Sequence, residues 1–117
     1  MDGYAIVSSY GLMFADPVSG KKVFYTGDTQ FNPNQIIDFY NQSDLIIQDC
    51  ETSPYKSGVH ANALELKTLA SRVKEKMILD HYQDNILKNG EITDEWLTWV
   101  KENGFLGFAK KGQVITL

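Results

Sequence analysis

Short apolar runs alternate with amphipathic stretches along this chain, and the change of period marks its elements. Tyr4 to Tyr10 and Leu12 to Ala15 are rich in aromatic and β-branched residues and read as strand. Asp16-Pro17-Val18-Ser19-Gly20 reads as a turn, and Lys22 to Thr26 as the returning strand of a hairpin. Asn32-Pro33-Asn34-Gln35 opens a helix, with Asn32 as N-cap, Pro33 in the first helical position and Gln35 at N3; Ile36, Ile37 and Tyr40 then share one face. Leu45-Ile46-Ile47 is a continuous apolar run, the pattern of a strand covered on both faces. After a loop from Thr52 to His60, Asn62 and Glu65 form a capping box for a second helix, whose stripe is Ala63, Leu66, Leu69, Ala70 and Val73. Lys76 to Leu79 is another buried strand. Thr93 caps a third helix carrying Trp96, Leu97, Trp99 and Val100, and Asn103-Gly104 stops it. Phe105 to Leu117 reads as a hairpin through Lys110-Lys111-Gly112. The predicted order, β-β-α-β-α-β-α-β-β, implies an α/β layer with partly parallel strands.

Composition narrows the class of protein. The 117 residues suffice for one domain with one core. Hydrophobic residues at 43% and charged residues at 22% belong to a folded globular chain rather than a disordered one. A net charge of −4, from 11 basic and 15 acidic residues, gives no basic footprint for nucleic acid. Lys21-Lys22, Lys74 with Lys76, and Lys110-Lys111 are where a local basic patch would have to form. The single cysteine, Cys50, excludes an intrachain disulfide and makes a reducing cytoplasm the expected location. No stretch approaches the ~18 apolar residues of a membrane span. The N-terminus lacks the basic and apolar regions of a signal peptide, so no membrane partner is expected.

The polar residues at three strand ends change the picture most. One apolar run ends in Thr26-Gly27-Asp28-Thr29, the next in Gln48-Asp49-Cys50-Glu51-Thr52, the third in Asp80-His81-Tyr82. Ligands of open α/β sheets bind beyond the carboxyl ends of the strands. If these three strands are neighbours, Asp28, Asp49, Cys50, Glu51 and His81 converge on one rim, with His60 leaning over it from the loop before a helix. Carboxylates and imidazoles together suit zinc, manganese or iron. Each residue alone has an ordinary structural reading: Asp28 as turn chemistry, His81 as a hydrogen-bonded histidine, Cys50 as a small core residue. A thiol nucleophile built from Cys50, His81 and a nearby carboxylate is a rival arrangement.

The succession VFYTGDT, SDLIIQDCET, SGVHANALELKTLA and KMILDHYQDN resembles the C-terminal half of the metallo-β-lactamase fold. Its nearest relatives there look like the phosphodiesterase branch, which includes tRNA end-processing ribonucleases and cyclic-nucleotide phosphodiesterases. The resemblance runs from about residue 8 to 85, and the closing Gly-Phe and Lys-Lys-Gly stretch is also typical. It implies half of an αββα sandwich, one mixed sheet covered by helices, over residues 1–117. It implies that Asp28 bridges two metal ions and that His81 binds the second. It also implies that His60 acts on the phosphate or leaving group, with Asp49 or Glu51 orienting a histidine. The cofactor implied is a divalent metal, zinc first and manganese or iron next, and the substrate implied is a phosphodiester, which the acidic net charge narrows to a small nucleotide.

The family's His-x-His-x-Asp-His motif is absent: the chain holds two histidines in all, and the motif needs three. The reading is therefore a metal-dependent hydrolase present without its N-terminal metal-binding half, as a fragment, a split half or a degenerate domain. The alternative is a non-catalytic, self-associating half-domain. Either way the expected partner is the N-terminal half or a second copy of the chain, because an isolated half would expose an apolar sheet face.

Overall fold

The computed structural model describes residues 4–7, 11–27, 33–53, 60–80 and 82–110. Strands β1 (Tyr4–Val7), β2 (Gly11–Ala15), β3 (Lys22–Tyr25), β4 (Leu45–Asp49), β5 (Met77–Asp80) and the late strand β8 (Gly107–Phe108) form one sheet in the order β1-β2-β3-β4-β5-β8. The first three are joined antiparallel; β3, β4, β5 and β8 run parallel. The expected α/β layer with partly parallel strands is what forms. The hairpin across residues 16–20 is closed by Asp16, whose carboxylate accepts from the Ser19 amide at 2.8 Å. Hydrogen bonding from the Ser19 side chain first, and then from its amide, draws the Asp16 carboxyl below its ordinary value.

Strand alternation divides the core in two. Phe24, Ile46, Met77 and Leu79 point to the face that carries the helices, where Ile36 and Tyr40 of α1 (Pro33–Gln42) and Val100 of α4 (Asp94–Glu102) bury with them. Full burial of each such side chain contributes about 1.5–3 kcal/mol. Val23, Leu45 and Ile78 point the other way and pack with Phe14, Ile47 and Ala109. Both sets come from runs without polar interruption, as strands buried on two faces require.

Four local expectations change. Tyr4 to Ala15 is two antiparallel strands instead of one continuous stretch, because Gly11 at φ +102° lets the chain begin β2 hard against β3. The second helix breaks into α2 (Ala63–Leu66) and α3 (Ser71–Lys74). The Thr68 hydroxyl bonds the Glu65 carbonyl at 2.6 Å, competing with helix continuation, and Ala70 turns extended to cap α3 instead of joining the stripe. Thr93 holds N-cap geometry, yet its side chain makes no capping bond. Asn89-Gly90, both at positive φ, turns an unexpected small hairpin between β6 (Leu87–Lys88) and β7 (Glu91–Ile92). The closing hairpin's turn and return strand lie largely at residues 111–117, outside the described residues; what precedes them is β8 beside β5.

Gly11 lies hard against β3: a Cβ there would stand 1.9 Å from the Tyr25 carbonyl oxygen. Gly11→Ala is expected to cost about 3 kcal/mol or more, through overlap and a disfavoured φ together. Urea unfolding should show a lower midpoint at constant slope; an unchanged midpoint would mean β2 does not pass so near β3.

Candidate active site

The three strand ends do stand side by side. Tyr25 is level with Ile47, Ile47 with Ile78, and Asp49 with Asp80. Beyond Tyr25, Thr26 is 1% exposed, its amide donates to the Ile47 carbonyl at 3.0 Å, and its hydroxyl accepts from the Asp49 amide at 2.9 Å. Gly27 follows at φ +64°, a left-handed conformation that glycine adopts freely.

Within β4, alternation sends Gln48 to the helix face and Asp49 to the other. Gln48 is buried, accepts the Tyr40 hydroxyl at 2.5 Å and donates its amide to the Asp49 carbonyl at 3.0 Å. Burial pushes the Tyr40 phenol far above its ordinary value, so it stays a donor. Asp49, 1% exposed, meets the half-buried His60 imidazole with Oδ2 and Nδ1 2.6 Å apart. An ionised carboxylate only accepts, so Nδ1 carries the hydrogen and the imidazole's action beyond Asp49 passes through Nε2.

The residues after β4 hold His60 in place. Glu51 and Asn62 pair as a parallel bridge: the Glu51 amide donates to the Ala61 carbonyl at 2.6 Å, and the Ala63 amide to the Glu51 carbonyl at 2.8 Å. The Asn62 side chain caps α2, donates to Glu51 Oε1 at 3.2 Å and to the Ser53 carbonyl at 3.2 Å, and completes the capping box with Glu65. Thr52 is tied to the segment after β5: its hydroxyl accepts the Gln83 amide at 3.0 Å, Gln83 Oε1 accepts the Thr52 and Ser53 amides, and Asn85 donates to the Thr52 carbonyl at 2.9 Å. Residues 52 and 53 after β4 are thus tied to residues 83 and 85 after β5.

Of the residues singled out from sequence, Asp49 and His60 are brought together. Glu51, 3% exposed, binds Asn62 at the base of α2, so of the two acids it is Asp49 that meets the imidazole. Asp28 and His81 lie outside the described residues, the first directly after Gly27 and the second directly after β5. Cys50 is fully buried; burial first, then the charges of Asp49 and Glu51, pushes its thiol far above the ordinary range. Both the burial and the raised thiol weigh against a thiolate nucleophile there. Thr26, Gln48 and Thr52 stand among the polar residues at the strand ends with no role assigned to them by the sequence, and Gln83, beyond the Asp80-His81-Tyr82 end, carries no signal there. Among the described residues no three His, Cys, Asp or Glu side chains gather to hold a metal ion, and no helix is long and apolar enough to cross a membrane.

The family model described as anti-Pycsar protein Apyc1 matches residues 2–115. The anti-Pycsar protein Apyc1 of Paenibacillus xerothermodurans is 33% identical over 66 residues, which cover 55% of this chain and 26% of that protein. The metallo-β-lactamase fold protein YhfI of Bacillus subtilis aligns with a TM-score of 0.63 at 20% identity, over 97% of this chain and 49% of its own. The chain thus spans about half of that structure and about a quarter of the curated relative, and its fold is half of a metallo-β-lactamase sandwich.

Two outcomes are expected from the packing of this edge. Cys50 should resist Ellman's reagent in the native protein and react fully in denaturant; native reactivity would contradict its burial. Asn62→Ala, which removes a helix cap and a partner of buried Glu51, should cost about 2 kcal/mol in urea unfolding.

Proposed function

The chain belongs to the family of anti-Pycsar protein Apyc1, and we propose that within it the chain forms one half of a metal-dependent phosphodiester hydrolase acting on a small, cyclic nucleotide. The observation that carries this reading is the Asp49–His60 pair, 2.6 Å apart beside the strand ends that lead into Asp28 and His81. A buried carboxylate fixing one imidazole nitrogen is the arrangement of an oriented acid–base histidine. The acidic balance of the chain favours a small nucleotide over a long nucleic acid, and the family's description supplies the setting, opposition to Pycsar.

In hydrolysis, the oxygen of water bonds to phosphorus, one ester P–O bond breaks, and the departing oxygen needs a proton. His60 donates it from Nε2 as imidazolium and recovers it from solvent; Asp49 holds the tautomer and steadies the charge. Asp28 and His81 would hold divalent metal, zinc first and manganese or iron next, with the remaining ligands from an N-terminal half or a second copy. When bound, the metal would activate water and offset the phosphate charge. The described residues fit that role as surroundings: an imidazole with a carboxylate behind it, and no complete ligand set of their own.

The test pairs metal content with two substrates. Zinc- or manganese-loaded protein should carry metal that Asp28→Ala and His81→Ala lose, read by elemental mass spectrometry. His60→Ala should lower kcat on a 3′,5′-cyclic nucleotide about 10²–10⁴-fold. It should leave bis(p-nitrophenyl) phosphate nearly unaffected, because that leaving group departs without protonation. No metal and no hydrolysis by the chain alone would mean that it is only half of a site; the same result with an N-terminal half supplied would make it the non-catalytic half-domain instead.

A further inference from the structure

Thr26 ends β3 in an unusual way. In a parallel ladder, a residue whose amide donates to one carbonyl of the neighbouring strand ordinarily accepts, on its own carbonyl, the amide two residues further along that strand. The Thr26 amide donates to the Ile47 carbonyl at 3.0 Å, so the regular rung would join the Asp49 amide to the Thr26 carbonyl. The Asp49 amide meets Thr26 Oγ1 at 2.9 Å. The same hydroxyl donates to the carbonyl of Gly27, which stands at φ +64°, at 3.0 Å. The hydroxyl takes the place of a carbonyl in the last rung, so β3 leaves one residue early while β4 stays paired to its end.

The two bonds reach both parts of the rim. The Gly27 carbonyl lies just beyond the end of β3. The Asp49 amide fixes the residue whose carboxylate meets His60. A hydroxyl donates one hydrogen and accepts on its lone pairs, so one oxygen serves both bonds at once. At 1% exposure Thr26 is shielded from solvent.

We infer that Thr26 is a positioning residue: its hydroxyl, held between the Asp49 amide and the Gly27 carbonyl, ties the end of β3 to the Asp49–His60 pair and holds that pair in place. The catalytic consequence rests on the phosphodiesterase reading; the coupling itself does not.

Thr26→Val keeps the shape and removes the hydroxyl; Thr26→Ser keeps the hydroxyl. In the full chain, Val should speed hydrogen exchange at the Asp49 amide about 10-fold or more relative to Ile46 and shift the His60 side-chain nitrogen resonances, and Ser should restore both. In the metal-loaded protein, Val should lower kcat on a 3′,5′-cyclic nucleotide about 10–100-fold, with KM changed far less and Ser close to wild type. Wild-type exchange and imidazole resonances in Val would overturn the inference. So would equal impairment of Val and Ser in step with a common loss of Tm. Should the wild type hydrolyse no phosphodiester, the proposed function falls, and the exchange and imidazole readings still decide the role of Thr26.

Discussion

The end of β4 is hydrogen-bonded on both sides of Asp49, and the polar rim depends on that fixation. The Asp49 amide is taken by Thr26 and its carbonyl by Gln48, whose other end holds Tyr40 inside the helix face. One residue on, the Cys50 amide donates to the Asp80 carbonyl at 2.9 Å, joining the ends of β4 and β5. Each such bond contributes about 0.5–1.5 kcal/mol net, while stranding a buried partner costs more. That asymmetry makes the edge rigid: any displacement of Asp49 leaves several buried groups unsatisfied together.

Buried polar residues are confined to this region to a notable degree. Thr26, Gln48, Asp49, Glu51, Thr52 and Asn62 are all nearly inaccessible, whereas among the described residues the rest of the core is apolar apart from Ser43. Interior polar groups need complete partners, and these find them largely in one another's backbones. The fold concentrates its demanding hydrogen-bond geometry where His60 must be aimed. Elsewhere it relies on less directional packing, such as the Trp99 ring stacked on Phe105 and Phe108.

Much of this was legible from the chain. Apolar runs at Val23, Ile46 and Ile78 marked the strands, and Asn62 with Glu65 marked α2 down to its reciprocal bonds, because a capping box is a local interaction written in adjacent residues. The convergence of the strand ends followed from the fold resemblance and from where ligands gather in such sheets. The break at Thr68–Ala70 was harder to see, since a helical stripe continues through it and only a side-chain-to-backbone bond interrupts it. Asn89-Gly90 carried a hairpin signal in plain view, obscured by flanking strands of two residues each. The roles of Thr26 and Gln83 were not legible at all, because each acts through a partner 23 or 31 residues away.

The strand order also imposes a timetable on assembly. β1, β2 and β3 are joined by short reversals and can pair as soon as they are made, whereas β3 to β4 and β4 to β5 wait for crossovers to close. β8 comes last of the described strands and must find β5 across the small hairpin and α4. Loop-closure entropy weighs on these distant pairings before packing rewards them, so a sheet of this topology belongs with the slower-folding domains. Until β4 is seated between β3 and β5, neither Thr26 nor Asp80 has the neighbour it binds. The rim is therefore among the last parts of the molecule to acquire its shape.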